Sequence, residues 1–190
     1  MVDIVFLTPG PNVEMLYLKS MLKTIQVLES KGITWAFYGE FSSHVAVARE
    51  ITFDIAKDEE CKVYFWIDSD IVWKPEDVVK LYESDKDAVS GCYFMREGQI
   101  AAATYEGFVE GYTVCVTKDL FKIKYAGMGF FAVKAHVMKN MTELKFTPTV
   151  LDDIEGEDAA FCKKIVDQGF DIWLDPTVHL GHMKKVQKVI

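Results

Sequence analysis

Several things are missing from this 190-residue sequence, and each absence removes a class of protein. No uninterrupted apolar run approaches the ~18 residues that a membrane-spanning helix needs. Four cysteines (Cys61, Cys92, Cys115 and Cys162) show neither paired nor zinc-type spacing, which excludes a disulfide framework and predicts reduced thiols. Met1 leads straight into an apolar strand pattern, so neither a signal peptide nor a membrane anchor is expected, and the expected location is cytoplasmic. Positive charge is in deficit, with 21 Lys and Arg against 29 Asp and Glu and a net charge of −8. That balance argues against a nucleic-acid-binding surface, although a nucleotide is still tolerated where a metal bridges the like charges. Internal repeats, low-complexity linkers and a Gly-rich, Arg-containing loop after the first strand are absent as well. The last of these removes the loop that a nucleotidyltransferase would use.

Apolar residues make up 50% of the chain and aromatics 13%, which excludes intrinsic disorder and gives one domain, residues 1–190, a sizeable core. Val2–Leu7 reads as a strand closed by Thr8-Pro9-Gly10-Pro11. Met15, Leu18, Leu22, Ile25 and Leu28 give a helical stripe that ends at Lys31-Gly32. Ile33–Tyr38 is the second strand. Ser42 or Ser43 is expected to cap a helix with Val45, Ala48, Ile51 and Ile55 on its inner face. Val63–Ile67, Pro75–Tyr82 and Asp87–Cys92 continue as strand, helix and strand. Such alternation predicts an α/β fold with a mostly parallel central sheet flanked by helices, its nucleotide-binding half at about 1–95.

The second half, about 96–190, reads as mixed. Gln99–Tyr105, Thr113–Val116, Phe121–Lys124 and Phe130–Val133 are expected strands, and Ala135–Met141 a short helix. Lys145–Glu155 lacks periodicity and is expected to be a mobile loop. Gly156–Gln168 is an amphipathic helix, followed by a last strand at Asp171–Leu174.

The apolar run Val63–Ile67 stops in Asp68-Ser69-Asp70. Carboxylates at the end of a core strand are costly unless a cation faces them. With 15 aspartates in the chain, an Asp-x-Asp triplet arises by chance roughly once, so the motif carries weight only by its setting. Asp85-Lys86-Asp87 provides the control, because it sits in a polar turn rather than at a strand end. An Asp N-cap ahead of Pro75-Glu76-Asp77 is the bland alternative. Ligands in such sheets bind beyond the carboxyl ends of parallel strands, which places Thr8-Pro9-Gly10, Gly39-Glu40-Phe41 and Asp68-Ser69-Asp70 at one crevice.

A second acidic run, Asp152-Asp153-Ile154-Glu155-Gly156-Glu157-Asp158, opens the late helix. Helix-dipole complementarity accounts for part of it. Glu157 and Asp158 also border the apolar Ala159-Ala160-Phe161-Cys162, a placement that suits a general base or a sugar-hydroxyl acceptor. His179 and His182 close the chain's motifs, and two carboxylates plus an imidazole are a donor set for Mn²⁺.

In this order, Asp68-Ser69-Asp70, Gly127-Met128-Gly129-Phe130-Phe131, Gly156-Glu157-Asp158 and Asp175-Pro176 followed by His182 resemble the nucleotide-sugar-dependent glycosyltransferases of GT-A fold. The likeness is to family-2-like and galactosyltransferase-like members, and the compact size is similar to short phage and large-virus domains. It implies a single Rossmann-like GT-A domain with Mn²⁺ or Mg²⁺ as cofactor and a nucleoside-diphosphate sugar, UDP-sugar favoured, as donor. The acceptor would be a glycan or glycoprotein hydroxyl, and the domain would fit within a longer multidomain polypeptide. Asp70, Asp68 and His182 would hold the metal. Thr8, Pro9, Tyr38, Arg49, Asp68, Ser69 and Gly129 would line the nucleotide sugar, with Tyr38 stacking on the base. Gly127 and Gly129 would let backbone approach the donor sugar. Asp158 would be the base and Glu157 would hold the acceptor. Trp73-Lys74-Pro75 is not diagnostic of the family. The tryptophan that galactosyltransferase-like members carry before the acidic pair is missing from 145–155.

Two further readings compete. Asp68-Ser69-Asp70-Ile71-Val72 fits the nucleophile motif of haloacid-dehalogenase-type phosphohydrolases, with Asp68 attacking phosphate, but two strand–helix units precede it. A non-catalytic nucleotide- or carbohydrate-binding module would keep Asp68 and Asp70 while tolerating loss of Asp158.

Overall fold

The opening apolar run forms β1 (Val2–Leu7), of which Ile4 to Leu7 are wholly buried because strands flank it on both sides. The computed structural model describes residues 1–96, 98–141, 145–151 and 154–183. After β1 come α1 (Met15–Ser30), β2 (Trp35–Tyr38), α2 (Val45–Ala56), β3 (Cys61–Ile67), β4 (Ile71–Val72), α3 (Pro75–Tyr82) and β5 (Ala88–Cys92). The second half adds β6 (Phe94–Arg96), β7 (Gln99–Thr104), β8 (Gly107–Glu110), α4 (Gly111–Val116), β9 (Phe121–Ile123), β10 (Tyr125–Ala126), β11 (Phe130–Lys134) and α5 (Ala135–Lys139). The chain then forms β12 (Thr149–Leu151), β13 (Ile154–Gly156), α6 (Glu157–Asp167), β14 (Ile172–His179) and β15 (Gly181–His182).

The central sheet has seven strands in the order β2-β1-β3-β11-β5-β14-β9. Strands β2, β1, β3, β5 and β14 all run the same way, whereas β11 and β9 run against them. The sheet is therefore mostly parallel, as the alternation of strands and helices predicts. Helices α1 and α3 cover one face, and α2, α5 and α6 cover the other.

Two helices are turned relative to their apolar stripes. Helix α1 buries Tyr17, Ser20, Met21, Thr24 and Leu28, and leaves Met15, Leu18 and Leu22 exposed. Trp73 decides the face. Its indole N–H donates to Thr24 Oγ1 at 2.9 Å, and its ring packs edge-on against Tyr17. Ser20 Oγ donates to the Trp73 carbonyl, also at 2.9 Å. The buried hydroxyls are thus satisfied, which removes the desolvation penalty that would otherwise turn them outward. Helix α2 likewise buries Ala48, Arg49, Thr52, Phe53 and Ala56, while the expected inner residues Val45, Ile51 and Ile55 are exposed.

Local corrections follow from pairing. Residues 113–116 belong to helix α4, not to a strand. The stretch expected to be a mobile loop contains the antiparallel pair β12–β13. Helix α2 starts after His44, whose N–H donates to Ser42 Oγ at 3.3 Å, and neither serine serves as its N-cap. The last strand extends beyond Leu174 to His179. Asp152 and Asp153 of the acidic run lie outside the described residues.

Candidate active site

The parallel strands deliver their carboxyl ends to one edge, and β11, running the other way, begins there. The Asp68 N–H donates to the Gly129 carbonyl at 3.0 Å, which ties the end of β3 to the start of β11. Asp70 continues into β4. There β15 pairs antiparallel and sets His182 opposite Ile71, while the Met183 N–H donates to the Asp70 carbonyl. Two segments far apart in the sequence are thereby fixed side by side.

His182 Nε2 lies 3.3 Å from Asp70 Oδ2, and Nδ1 lies 3.1 Å from the Phe94 carbonyl oxygen. A carbonyl only accepts, so Nδ1 carries the proton and Nε2 is the nitrogen turned to the carboxylate. A backbone carbonyl that orients the second nitrogen is also what a metal-ligating imidazole commonly has. His179 instead donates Nε2–H to the Pro176 carbonyl at 2.7 Å, so of the two histidines His182 is the one placed at the acidic edge.

Arg49, one of only two arginines in the sequence, is 2% exposed at the centre of the site. Its Nη2 lies 3.1 Å from Asp68 Oδ1 and 3.6 Å from Asp158 Oδ1, and its Nε lies 3.7 Å from Glu157 Oε1. Burial opposes the charge on Arg49, but Asp68, Asp158 and Glu157 together outweigh it and hold the guanidinium protonated above its ordinary value. The alternative of a surface charge is thus removed. Nε and Nη1 of Arg49 and Oδ1 of both Asp68 and Asp158 are buried without a hydrogen-bond partner. Their charges are balanced by the ion pairs just described, whose attraction offsets part of the cost of burying them.

Asp158 stands in the first turn of α6, entered through Gly156 at φ 141°, a backbone conformation that favours glycine. Burial pushes the Asp158 carboxyl up to about 7, with Glu157 and Asp68 adding to the rise; Arg49 and a backbone hydrogen bond from Met128 oppose it. The side chain keeps 23% of its surface, so it is open along one edge while its Oδ1 is enclosed.

Several of the other expected positions have protein partners of their own. Thr8 and Pro9 are buried, and the Thr8 hydroxyl is taken up by the Tyr17 hydroxyl at 2.5 Å, on the α1 side. The Tyr38 hydroxyl donates to Glu59 at 3.1 Å, ahead of the start of β3, so the ring is held away from the crevice. Ser69 faces Gly10, where an added Cβ would meet its Oγ at 3.0 Å. The space left by Gly127 and Gly129 is filled by Tyr93: a Cβ on Gly129 would meet the Tyr93 ring at 2.8 Å, and one on Gly127 would strike the Tyr93 hydroxyl. Both glycines leave the space that the buried Tyr93 phenol occupies.

Tyr93 is a site residue the sequence reading missed. Its hydroxyl accepts the Gly129 N–H at 3.0 Å, and its ring stands edge-on to His182 with centroids 5.4 Å apart. The two glycines spaced two apart were the signal that something large approaches there.

A metal fits this edge in part. Asp70 and His182 supply a carboxylate and an imidazole, a donor pair suited to Mn²⁺. Asp68 Oδ1 is engaged by Arg49 at 3.1 Å. Among the described residues no three His, Cys, Asp or Glu side chains converge as a ready-made cage. The same Arg49 contact leaves Asp68 poorly presented as the nucleophile of a phosphohydrolase.

Comparison with known proteins places the architecture. No family model and no curated protein matches the sequence. The crystal structure of A197 from STIV matches with a TM-score of 0.68 at 18% identity, over 96% of this chain and 86% of that one. The catalytic domain of Drosophila β1,4-galactosyltransferase 7, solved with xylobiose, matches with a TM-score of 0.60 at 14% identity, over 97% of this chain and 72% of that one. GalNAc-T7, solved with UDP, GalNAc and Mn²⁺, also gives 0.60, at 10% identity, over 98% of this chain but 44% of that one. At these identities the likeness establishes the fold. The chain has the mixed α/β architecture of GT-A glycosyltransferase catalytic domains.

Proposed function

We propose that this protein is a metal-dependent glycosyltransferase that moves a sugar from a nucleoside-diphosphate sugar, UDP-sugar favoured, to a hydroxyl of a glycan or glycoprotein acceptor. The observation that carries the reading is the placement of the Asp70–His182 pair and the Arg49-centred carboxylates at one sheet edge of a GT-A-type fold. Asp70 and His182 would hold Mn²⁺ or Mg²⁺, which supplies Lewis-acid stabilisation of the departing diphosphate.

The chain's own residues do the rest. Asp158, with a carboxyl pushed up to about 7, is poised as a general base at neutral pH. It takes the proton from the acceptor hydroxyl as that oxygen bonds to the anomeric carbon and the carbon's bond to the diphosphate oxygen breaks. Glu157 holds the acceptor. Arg49 keeps Asp158 and Asp68 in place.

Incubation with UDP-, GDP-, CDP- and dTDP-sugars, with and without Mn²⁺, and with product analysis by mass spectrometry, tests the proposal. Mn²⁺-dependent release of one nucleoside diphosphate, lost in Asp70→Ala, is expected. Binding without turnover in every combination would leave a non-catalytic module, and a phosphoryl-enzyme at Asp68 would substitute a phosphohydrolase.

A further inference from the structure

Beside the acidic edge, at the carboxyl ends of β5 and β14, lies a cavity of about 190 Å³. Ile100 and Val114, both buried, form its walls together with Leu180 and the Phe94 ring. Two of its polar lining groups are turned away: the Cys92 thiol donates to the Asp175 carbonyl at 3.3 Å, and the His179 imidazole is bonded to Pro176. Apart from the Cys115 thiol, the lining is therefore mostly apolar. Apolar cavities of ~150 Å³ lined by Leu, Ile and Phe stay dry and take up benzene.

The position of this cavity gives it a role. Phe94 rims it with its ring while its carbonyl orients His182. Leu180, another wall residue, lies two positions before His182 and is tied to the end of β5 by its N–H to the Cys92 carbonyl. One short segment thus shapes both the cavity and the candidate metal ligand.

We propose that the cavity binds one aromatic ring, carried by the acceptor as its aglycone. The hydroxyl-bearing part of such a molecule extends past Phe94 toward the Asp70–His182 edge. The aglycone assignment rests on the transferase reading, whereas the apolar site itself does not.

Cys115 allows a direct test, because it lines the cavity and is exposed while Cys61, Cys92 and Cys162 are buried. Burial pushes the Cys61 thiol up to about 11 and those of Cys92 and Cys162 up to about 12, so iodoacetamide at pH 8 reports on Cys115. Benzyl alcohol and phenyl β-glucoside are expected to slow Cys115 alkylation several-fold, and methyl β-glucoside is expected to leave it unchanged. Val114→Phe should abolish the protection by filling the cavity. Should that buried change prevent folding, Cys115→Phe at the exposed rim serves instead, read as loss of the thermal shift that benzyl alcohol gives the natural protein. Alkylation indifferent to both aromatic probes overturns the proposal. Aromatic protection without any sugar transfer keeps the cavity and removes the transferase reading. Mn²⁺-dependent transfer without protection does the reverse.

Discussion

Arg49 Nη2 stands 3.1 Å from Asp68 Oδ1, so the first acid of the strand-end pair is held by a cation from α2 and separated in role from Asp70. The same guanidinium serves Glu157 and Asp158, which makes it the hub of the charge at this edge. Removing one partner from a buried ionic group costs about 3–5 kcal/mol, and the three carboxylates keep part of their surface in solvent, which points to the low end, about 3 kcal/mol. Arg49→Met is therefore expected to lower stability by that order in urea unfolding at pH 8, with Arg49→Lys losing less. A Met variant as stable as the natural protein would show that the carboxylates do not depend on the guanidinium.

The legible part of this structure was the part dictated by local pattern. Strands β1 and β3 and helix α3 follow from apolar runs, the turn Thr8-Pro9-Gly10-Pro11 and the Pro75 helix start. The face of α2 was not legible. Its apolar positions Val45, Ile51 and Ile55 suggest one inner stripe, but Arg49 is drawn inward by carboxylates from β3 and α6, an interaction with no trace in local spacing. Helix α1 was misread for a related reason, since a tryptophan far along the chain satisfies its buried hydroxyls. Asp70 and His182 were legible as separate motifs, and β15 pairing with β4 is what joins them. The contact between Asp68 and Arg49 was not legible either, because nothing in local spacing shows that an arginine reaches that carboxylate.

Tyr93 and Gly129 should behave as one unit. Tyr93→Phe removes the acceptor of the Gly129 N–H and is expected to cost about 1 kcal/mol. Gly129→Ala sets a methyl 2.8 Å from a buried ring and should cost more. Combining Gly129→Ala with Tyr93→Ala relieves the clash, so thermal melts of the natural protein, the two single alanine variants and the double variant should show favourable coupling. Strict additivity would mean that the glycine is required for some reason other than the phenol.

Asp70 and His182 carry the metal proposal, and the two histidines provide an internal control. Thermal shift by UDP with Mn²⁺ is expected to vanish in Asp70→Ala and His182→Ala, and in the natural protein after chelation. His179→Ala should keep it, because that imidazole is engaged with the Pro176 carbonyl. Asp68→Asn should keep most of it, since Asp68 pairs with Arg49. A full shift in Asp70→Ala would remove the site.

Asp158 links stability to pH in the direction opposite to an ordinary paired aspartate. Burial raises its carboxyl to about 7, so the folded protein holds a proton there that the unfolded chain releases near pH 4. The stabilising contribution is complete below about pH 4 and is lost as the pH rises through about 7. Asp158→Asn cannot ionise and escapes that loss, and Arg49 retains Asp68 and Glu157 as partners. The Asn variant should therefore gain melting temperature over the natural protein at pH 8, and the gain should shrink by pH 5. Turnover responds with the other sign. In the natural protein it should rise with pH through about 7 as the base is freed, and in Asp158→Asn it should fall roughly 10²–10⁴-fold. UDP binding should be retained in that variant, which separates loss of the base from loss of the site. A variant with equal gains at pH 5 and pH 8 would show that this carboxyl is not raised in the folded protein.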